Sequence, residues 1–346
     1  MSRADAAQGA PGPRLATPAG RAVLGFGLDH LVWLILIVVL AGFSLFIPNF
    51  FQIGILLNIL EQSTFIGILA VGLALVVIAG HMDLSIESVL ALTAMTTALL
   101  FGSHGAGSGL VLQPEWLALP VSLLLAVALG AVIGASNAFF VVRLRINAFI
   151  VTLASYIWCR GLVVALSGGR SVYGLPDAIR AVAVTHVGGV PVLGVVLILV
   201  FAAFAFVLTR TPFGRHLVMI GGNPVAPYRA GIRSDRLLAI AFILAGAIAG
   251  LAGWLLAART AGATANLGTG MLFDAFAAVV IGGVSLKGGV GRLSGVFAGV
   301  LLLSAISTAI NVMGMPPHYT LMIKGALVLA AVLLDTAKTA LHKRYL

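Results

Sequence analysis

Long apolar runs set the pattern of this chain, beginning near Leu31 and recurring with only short polar breaks to about residue 335. A membrane-crossing helix needs roughly 20 consecutive, mostly apolar residues. Measured against that length, the pattern predicts ten spans, at about 29–47, 63–80, 84–102, 117–142, 149–168, 191–210, 236–258, 271–285, 292–313 and 319–335. The fold class predicted is therefore all-α and integral to a membrane, a polytopic bundle of about ten transmembrane helices. The eighth span is short, and interrupted segments in transporters mark the translocation path.

The breaks are too small to hold a soluble domain. The connections at 103–116 and 169–190 are modest, and the longest runs from 211 to 235. One membrane domain is predicted over 29–335, with a C-terminal tail at 336–346. Residues 1–28 are rich in Ala, Gly, Pro and Arg and read as a disordered tail. The first apolar run is long enough to span and lacks a small-residue cleavage site after it, so it is read as a retained helix rather than a signal peptide.

Composition agrees with this reading. The chain of 346 residues is 61% hydrophobic and only 9% charged, whereas a soluble domain carries roughly 25% charged residues. The net charge of +10 is not a nucleic-acid footprint, because the Lys and Arg are scattered among apolar runs. It reads instead as orientation. With ten spans both termini share a side, and 15 of the 20 basic residues fall on it. Only Arg170, Arg180 and Arg259 fall opposite, while Arg160 and Lys324 lie within spans. The positive-inside rule makes the shared side cytoplasmic.

Several chemistries find no support. The single cysteine, Cys159, sits in an apolar stretch and cannot form an internal disulfide. The seven histidines are dispersed without a metal-binding spacing. No GxxxxGK[ST] phosphate loop occurs, so ATP, if used, is bound by another chain. No triad or paired-carboxylate set is evident. The expectation is a transport protein, not an enzyme, that binds no cofactor itself.

Four polar interruptions carry the remaining information. In GHMDLSIESVLAL (80–92), Asp83, Ser85 and Ser88 crowd the turn between two spans. Asp83 or Ser85 is suited to cap the third helix, and the same residues are suited to border a polar path. In INAFIVTLASYIWCRGL (146–162), Asn147 is placed to cap the fifth helix, and Thr152, Ser155 and Arg160 break the apolar face. Arg160 reads as a paired structural charge or as a substrate contact. In GRHLVMIGGNPVAPYRAGIRSDR (214–236), Gly221 and Gly222 are expected to break the chain. Asn223 and Pro224 then start a short helix that runs to about Ala230 and stops at Gly231. That helix reads equally as a force-transmitting element or an ordinary solvated loop. In FDAFAAVVIGGVSLKGGVGRLSGVFAG (273–299), Asp274 precedes a glycine-dense turn around Ser285 and Lys287; glycine this dense permits close backbone approach.

In this order the four stretches resemble the ribose-type permeases of ATP-binding cassette importers, a family related to the branched-chain amino acid permeases. The matching runs are GHMDLSIES, NAFIVTLASYIWCRGL, GGNPVAPYRAGI and FDAFAAVVIGGVSLKGGVG, and the likeness extends from about residue 30 to IKGALVLAAVLLD at 323–335. The resemblance implies a homodimer of permeases in the lipid of a bacterial inner membrane. Its partners would be a cytoplasmic ATP-binding subunit and a periplasmic sugar-binding protein, with no nucleic acid involved. It implies a path bordered by Asp83, Ser85, Ser88, Thr152, Asp274 and Ser285. It also implies a coupling segment that docks on the ATP-binding subunit through Gly222, Asn223, Pro224, Ala226, Arg229, Gly231 and Ile232. His81 and Glu87 stand where the family usually has glycine, Ala154 replaces a common glycine, and Pro227 and Ala230 replace a common Ala and Ser. The expected function is translocation of a monosaccharide such as ribose or xylose by alternating access. A nucleoside or branched-chain amino acid permease, or an ion-coupled transporter using Asp83, Glu87 or Asp274, are the alternatives.

Overall fold

A computed structural model describes residues 31–333, apart from 111, 224–226, 228–230, 317, 328, 331 and 332. The tails at 1–28 and 336–346 thus lie outside the described residues, as do Pro224, Ala226, Arg229 and Ala230 of the expected coupling segment. The chain runs α1 (Leu31–Phe46), α2 (Ile53–Ile78), α3 (Ile86–Phe101), α4 (Ala118–Ala138), α5 (Ala148–Ser167), α6 (Asp177–Val184), α7 (Val192–Arg210), α8 (Pro212–Gly222), α9 (Ser234–Thr260), α10 (Met271–Ile281) and α11 (Leu293–Val312). Helical backbone resumes at 318–327. Among the described residues, six helices are long and apolar enough to cross a membrane, and α1, α3 and α10 are shorter apolar ones.

Each of the ten predicted spans meets helical backbone, with one large shift in a boundary. Helix α2 starts at Ile53, ten residues before the predicted start at 63. The polar cluster Asn58, Glu61, Gln62, Ser63 and Thr64 hid this stretch of helix. Each of those groups is satisfied locally or across the bundle. Gln62 Nε2 donates to Asn58 Oδ1 at 2.6 Å, Ser63 Oγ to the Ile59 carbonyl at 2.7 Å, and Glu61 pairs with Arg259 at 2.7 Å.

Helices α2 and α9 form the centre, and both are extensively buried. Helix α9 packs on α2, α3 and α4. Its contact with α4 is backbone on backbone: a Cβ at Gly130 or Gly134 would meet the carbonyls of Gly246 and Phe242, and one at Gly250 would meet that of Ala126. Two small-xxx-small stripes, Gly130–Gly134 and Gly246–Gly250, thus face each other, and this close approach lets dispersion hold helices together where no water drives them. Helix α5, by contrast, turns a broad apolar surface outward, including Phe149, Ile150, Ile157 and Leu166.

Two short strand pairs cap one end of the bundle. Strand β1 (Val172–Tyr173) pairs antiparallel with β4 (Gly262–Ala263), and His104 bridges to Tyr173. Strands β2 (His186–Val187) and β3 (Val190–Pro191) form a hairpin. The opposite end gathers the end of α2, the end of α8 and the loop after α10. There the Gly289 amide donates to the Ile78 carbonyl at 2.8 Å.

The connection at 211–235 differs from expectation. Gly221 and Gly222 do not break the chain but close α8, which begins with Pro212 at its first turn. A Cβ at Gly221 would collide with the Ile78 carbonyl and the Gly289 amide, so glycine serves helix packing here. Asn223 follows in extended backbone at φ −157°. Gly231 adopts φ +71°, and the Ile232 amide reaches back to the Pro227 carbonyl at 2.9 Å. Glycine suits position 231 because its left-handed φ carries no Cβ penalty.

Candidate translocation site

Helix α3, with 16 residues, and α10, with 11, are both too short to cross a ~30 Å hydrocarbon core at a rise of ~1.5 Å per residue. Each follows a long central helix and an irregular stretch: α2 leads through 79–85 into α3, and α9 leads through 261–270 into α10. Backbone leaves helical form inside a membrane only where protein or a water-lined cavity satisfies it.

The first break is held by side chains. Asp83 Oδ1 accepts from the Ser85 amide at 2.9 Å and from Ser85 Oγ at 2.6 Å. The carboxylate thereby serves as a cap at the start of α3. Asn137 Nδ2 donates to Ser85 Oγ at 2.9 Å, and Ser155 Oγ donates to Asn137 Oδ1 at 2.5 Å. A continuous polar chain therefore links the break to α4 and α5. Ser88 Oγ donates to the Ser85 carbonyl at 2.8 Å. Thr152 Oγ1 donates to the Ala148 carbonyl at 2.8 Å and lies 3.5 Å from that of Met82. Asp83, Ser85, Ser88, Asn137 and Thr152 are all buried. Asp83 Oδ2 has no hydrogen-bond partner among the described residues.

The second break meets the first at Glu87, in the first turn of α3. Its Oε2 accepts from the amides of Gly270 and Leu272, each at 3.0 Å. These are unpaired donors at the N-terminus of α10, the end where the helix dipole favours an anion. Its Oε1 accepts from Arg160 Nη2 at 2.7 Å and from the Tyr156 hydroxyl at 3.4 Å. Arg160 Nη1 in turn donates to the carbonyls of Ala265 at 3.2 Å and Leu267 at 3.1 Å. One ion pair thus fastens α3, α5 and the start of α10, with Glu87 only 1% exposed and Arg160 19%. Each charge is hydrogen-bonded beyond its partner, the condition under which a buried pair is tolerated.

The predicted path residues divide among three places. Asp83, Ser85, Ser88 and Thr152 gather at the first break. Asp274 lies on α10, where Lys324 contacts it at 2.8 Å. Ser285 belongs to the loop after α10, where its amide donates to the Val290 carbonyl and its hydroxyl accepts from the Lys287 amide at 3.3 Å. Asn147 caps α5 as expected, accepting from the Phe149 amide at 2.9 Å. Asn137 was absent from the sequence-based set, although a lone amide in the apolar run 117–142 marks it. Glu87 appeared there as a departure from a glycine and as an ion-carrying alternative, and its pairing with Arg160 across 73 residues leaves no local trace.

A cavity of about 570 Å³ opens beside the first break, bordered by His81, Met82, Arg145, Asn147, Phe149 and Leu286. At this end three glycine pairs interlock. A Cβ at Gly288 would strike Gly80, one at Gly289 would strike Gly222, and one at Gly221 would strike Ile78 and Gly289. The last turn of α8 therefore sits directly on the start of the first break and on the loop after α10.

Two broken helices meeting at a buried polar crossing inside an apolar bundle define a polytopic transport protein. Comparison with known proteins gives the family. The sequence profile of the branched-chain amino acid transport system / permease component family matches residues 55–332, and this chain belongs to that family. It is 36% identical over 307 residues to the ribose import permease of Escherichia coli strain K12, covering 88% of this chain and 92% of that one. It is 34% identical over 299 residues to the ribose import permease of Bacillus subtilis strain 168, covering 86% and 89%. It is 33% identical over 325 residues to the galactose/methyl galactoside import permease of Escherichia coli strain K12, covering 90% and 95%. No solved structure matches significantly. The resemblance noted in the sequence is thus borne out: the chain is a multi-pass permease subunit of the ATP-binding cassette type and not itself an enzyme.

Proposed function

We propose that this chain forms the membrane path of an ATP-driven importer for a monosaccharide of the ribose or xylose kind. The observation that carries the reading is the crossing at Glu87. There two half-helices meet beside a buried chain of hydroxyl and amide groups, in a protein akin to ribose and galactose permeases along most of its length. Two copies would enclose the path in a bacterial inner membrane, with both termini cytoplasmic. A periplasmic sugar-binding protein would deliver the substrate. A cytoplasmic ATP-binding subunit would dock at 222–232 and hydrolyse the nucleotide, so this chain needs no cofactor of its own.

The mechanism follows from the packing at the glycine junction. Closure of the ATP-binding subunits moves the segment after α8. The last turn of α8 bears on the loop after α10 and on the end of α2 by backbone contact, so little of that motion is absorbed by side-chain rearrangement. Both breaks then shift, and the path opens to one side at a time. Sugar passes along groups that bind weakly enough to release it. The test is co-assembly: purified permease should recruit the ATP-binding subunit, and sugar-loaded binding protein should stimulate its ATP hydrolysis. Absence of a complex would contradict the reading.

A second reading rests on Asp83 Oδ2, the buried carboxylate oxygen that no described residue engages. Glu87 and Asp274 are paired with Arg160 and Lys324, which leaves Asp83 to carry a proton or cation in an ion-coupled transporter. Gradient-driven uptake by this chain alone would favour that reading.

A further inference from the structure

We propose that Asn266 is a sugar-contacting residue of the path and that Arg160 is the positioning residue that presents it. The proposal deepens the importer reading and rests on it. Asn266 lies in the irregular stretch between β4 and α10, where no helix fixes the backbone. Arg160 fixes it instead, because Nη1 donates to the carbonyls on either side of Asn266, those of Ala265 at 3.2 Å and Leu267 at 3.1 Å. Thr269 Oγ1 adds a bond to the Asn266 carbonyl at 2.7 Å. Glu87 orients the guanidinium from the other side at 2.7 Å. The result is a backbone clamped at three carbonyls while the amide side chain it carries is exposed.

That exposure needs an explanation inside a membrane protein. Thr269 is exposed as well, and the two helices joined to this stretch carry exposed apolar side chains, with Phe273 near the start of α10 70% and Ile157, one turn before Arg160 on α5, 63% exposed. Arg160 is the thirteenth of the 20 residues of α5, so the stretch it grips lies alongside a membrane-crossing helix. Lipid offers an amide no hydrogen bond, so an exposed amide there implies a polar occupant on that face. Gly161, next to Arg160 and also exposed, has nothing within 4 Å of the place a Cβ would take, which leaves room there. A primary amide both donates and accepts, and so do the hydroxyls of a sugar. The amide is uncharged, so its contacts with a hydroxyl are modest and reversible, as a path that must release its cargo requires. The guanidinium is occupied by Glu87 and two carbonyls, so the amide and not the charge meets the substrate.

The experiment uses the complete importer in proteoliposomes, with sugar-loaded binding protein in excess, and reads initial uptake of labelled pentose. Asn266→Ala should lower uptake by about three- to ten-fold, the worth of one neutral hydrogen bond. Arg160→Lys, which keeps the charge but loses the fork that grips two carbonyls, should lower it similarly. The double variant should be no worse than the more impaired single one. Because Asn266 is exposed, its truncation leaves folding intact, and a size measurement on each variant checks this. Unchanged uptake in Asn266→Ala would overturn the proposal, and so would loss of the permease dimer in that variant, which would make this face a protomer contact. Strictly additive losses in the double variant would reduce Arg160 to a structural charge. If the unaltered importer takes up no sugar, the importer reading itself fails and takes this one with it.

Discussion

Glu87 and Arg160 meet at 2.7 Å although 73 residues separate them, and their contact lies where the two broken helices cross. Removing one partner leaves the other buried without compensation, at a cost of roughly 3–5 kcal/mol. Arg160→Met is therefore expected to lower the thermal midpoint of the purified permease strongly. Glu87→Gln should do less, since an amide still accepts from Gly270 and Leu272. Combining the two should recover part of the loss, and thermal unfolding of the four proteins as a double-mutant cycle checks the sign of the coupling.

The polar chain at the first break is open to a similar test. Ser85 Oγ both donates to Asp83 and accepts from Asn137. Ser85→Ala strands the Asn137 amide in a buried place and should cost about 1–3 kcal/mol. Asn137→Ala should be at least as costly, because it strands Ser155 as well and opens a small cavity. If either variant unfolds at the temperature of the unaltered protein, the network is not structural.

Helix packing makes a third prediction. Gly130 and Gly246 face each other so closely that either Cβ would meet the opposing carbonyl. Gly130→Ala should separate α4 from α9 and destabilise by about 1–3 kcal/mol, as overpacking does. Gly161→Ala on α5, where a Cβ meets open space, should leave stability unaltered. Equal effects of the two substitutions would argue against the packing described.

The glycine junction predicts a coupling defect in addition to a loss of stability, because Gly289 also lies at φ +77°, where an L side chain is strained. Gly289→Ala would push the loop after α10 away from Gly222 at the end of α8. In the assembled importer the sugar taken up per ATP hydrolysed should fall several-fold. Simultaneous measurement of uptake and phosphate release reads that ratio. A normal ratio would mean that force reaches the breaks by another route.

Much of this architecture was legible in the sequence because bilayer solvation leaves a strong local mark. Every apolar run of sufficient length meets helical backbone, although the short helices α6 and α8 went unpredicted, and the short run at 271–285 already marked α10 as incomplete. The misread boundary at Ile53 has a specific cause. Glu61 looks like a loop residue until Arg259, almost 200 positions later, is placed beside it. The same holds at the crossing: Glu87 is unexpected in isolation and sensible once Arg160 and the α10 amides surround it. The stripes Gly130–Gly134 and Gly246–Gly250 were visible as spacing, but spacing alone does not say which two stripes pair. Gly221 and Gly222 misled for the opposite reason. Glycine was read as a helix breaker, whereas at the end of α8 a missing Cβ is what allows helix and loop to touch.

The most direct test of the central claim is uptake of radiolabelled pentoses and hexoses into vesicles containing this chain. It is made with and without the ATP-binding subunit and the sugar-binding protein. The account predicts uptake only when all three components and ATP are present, with one sugar class accumulating above the rest. Uptake by this chain alone, driven by a proton or sodium gradient, would contradict it and transfer the role of the buried Asp83 from helix cap to ion carrier.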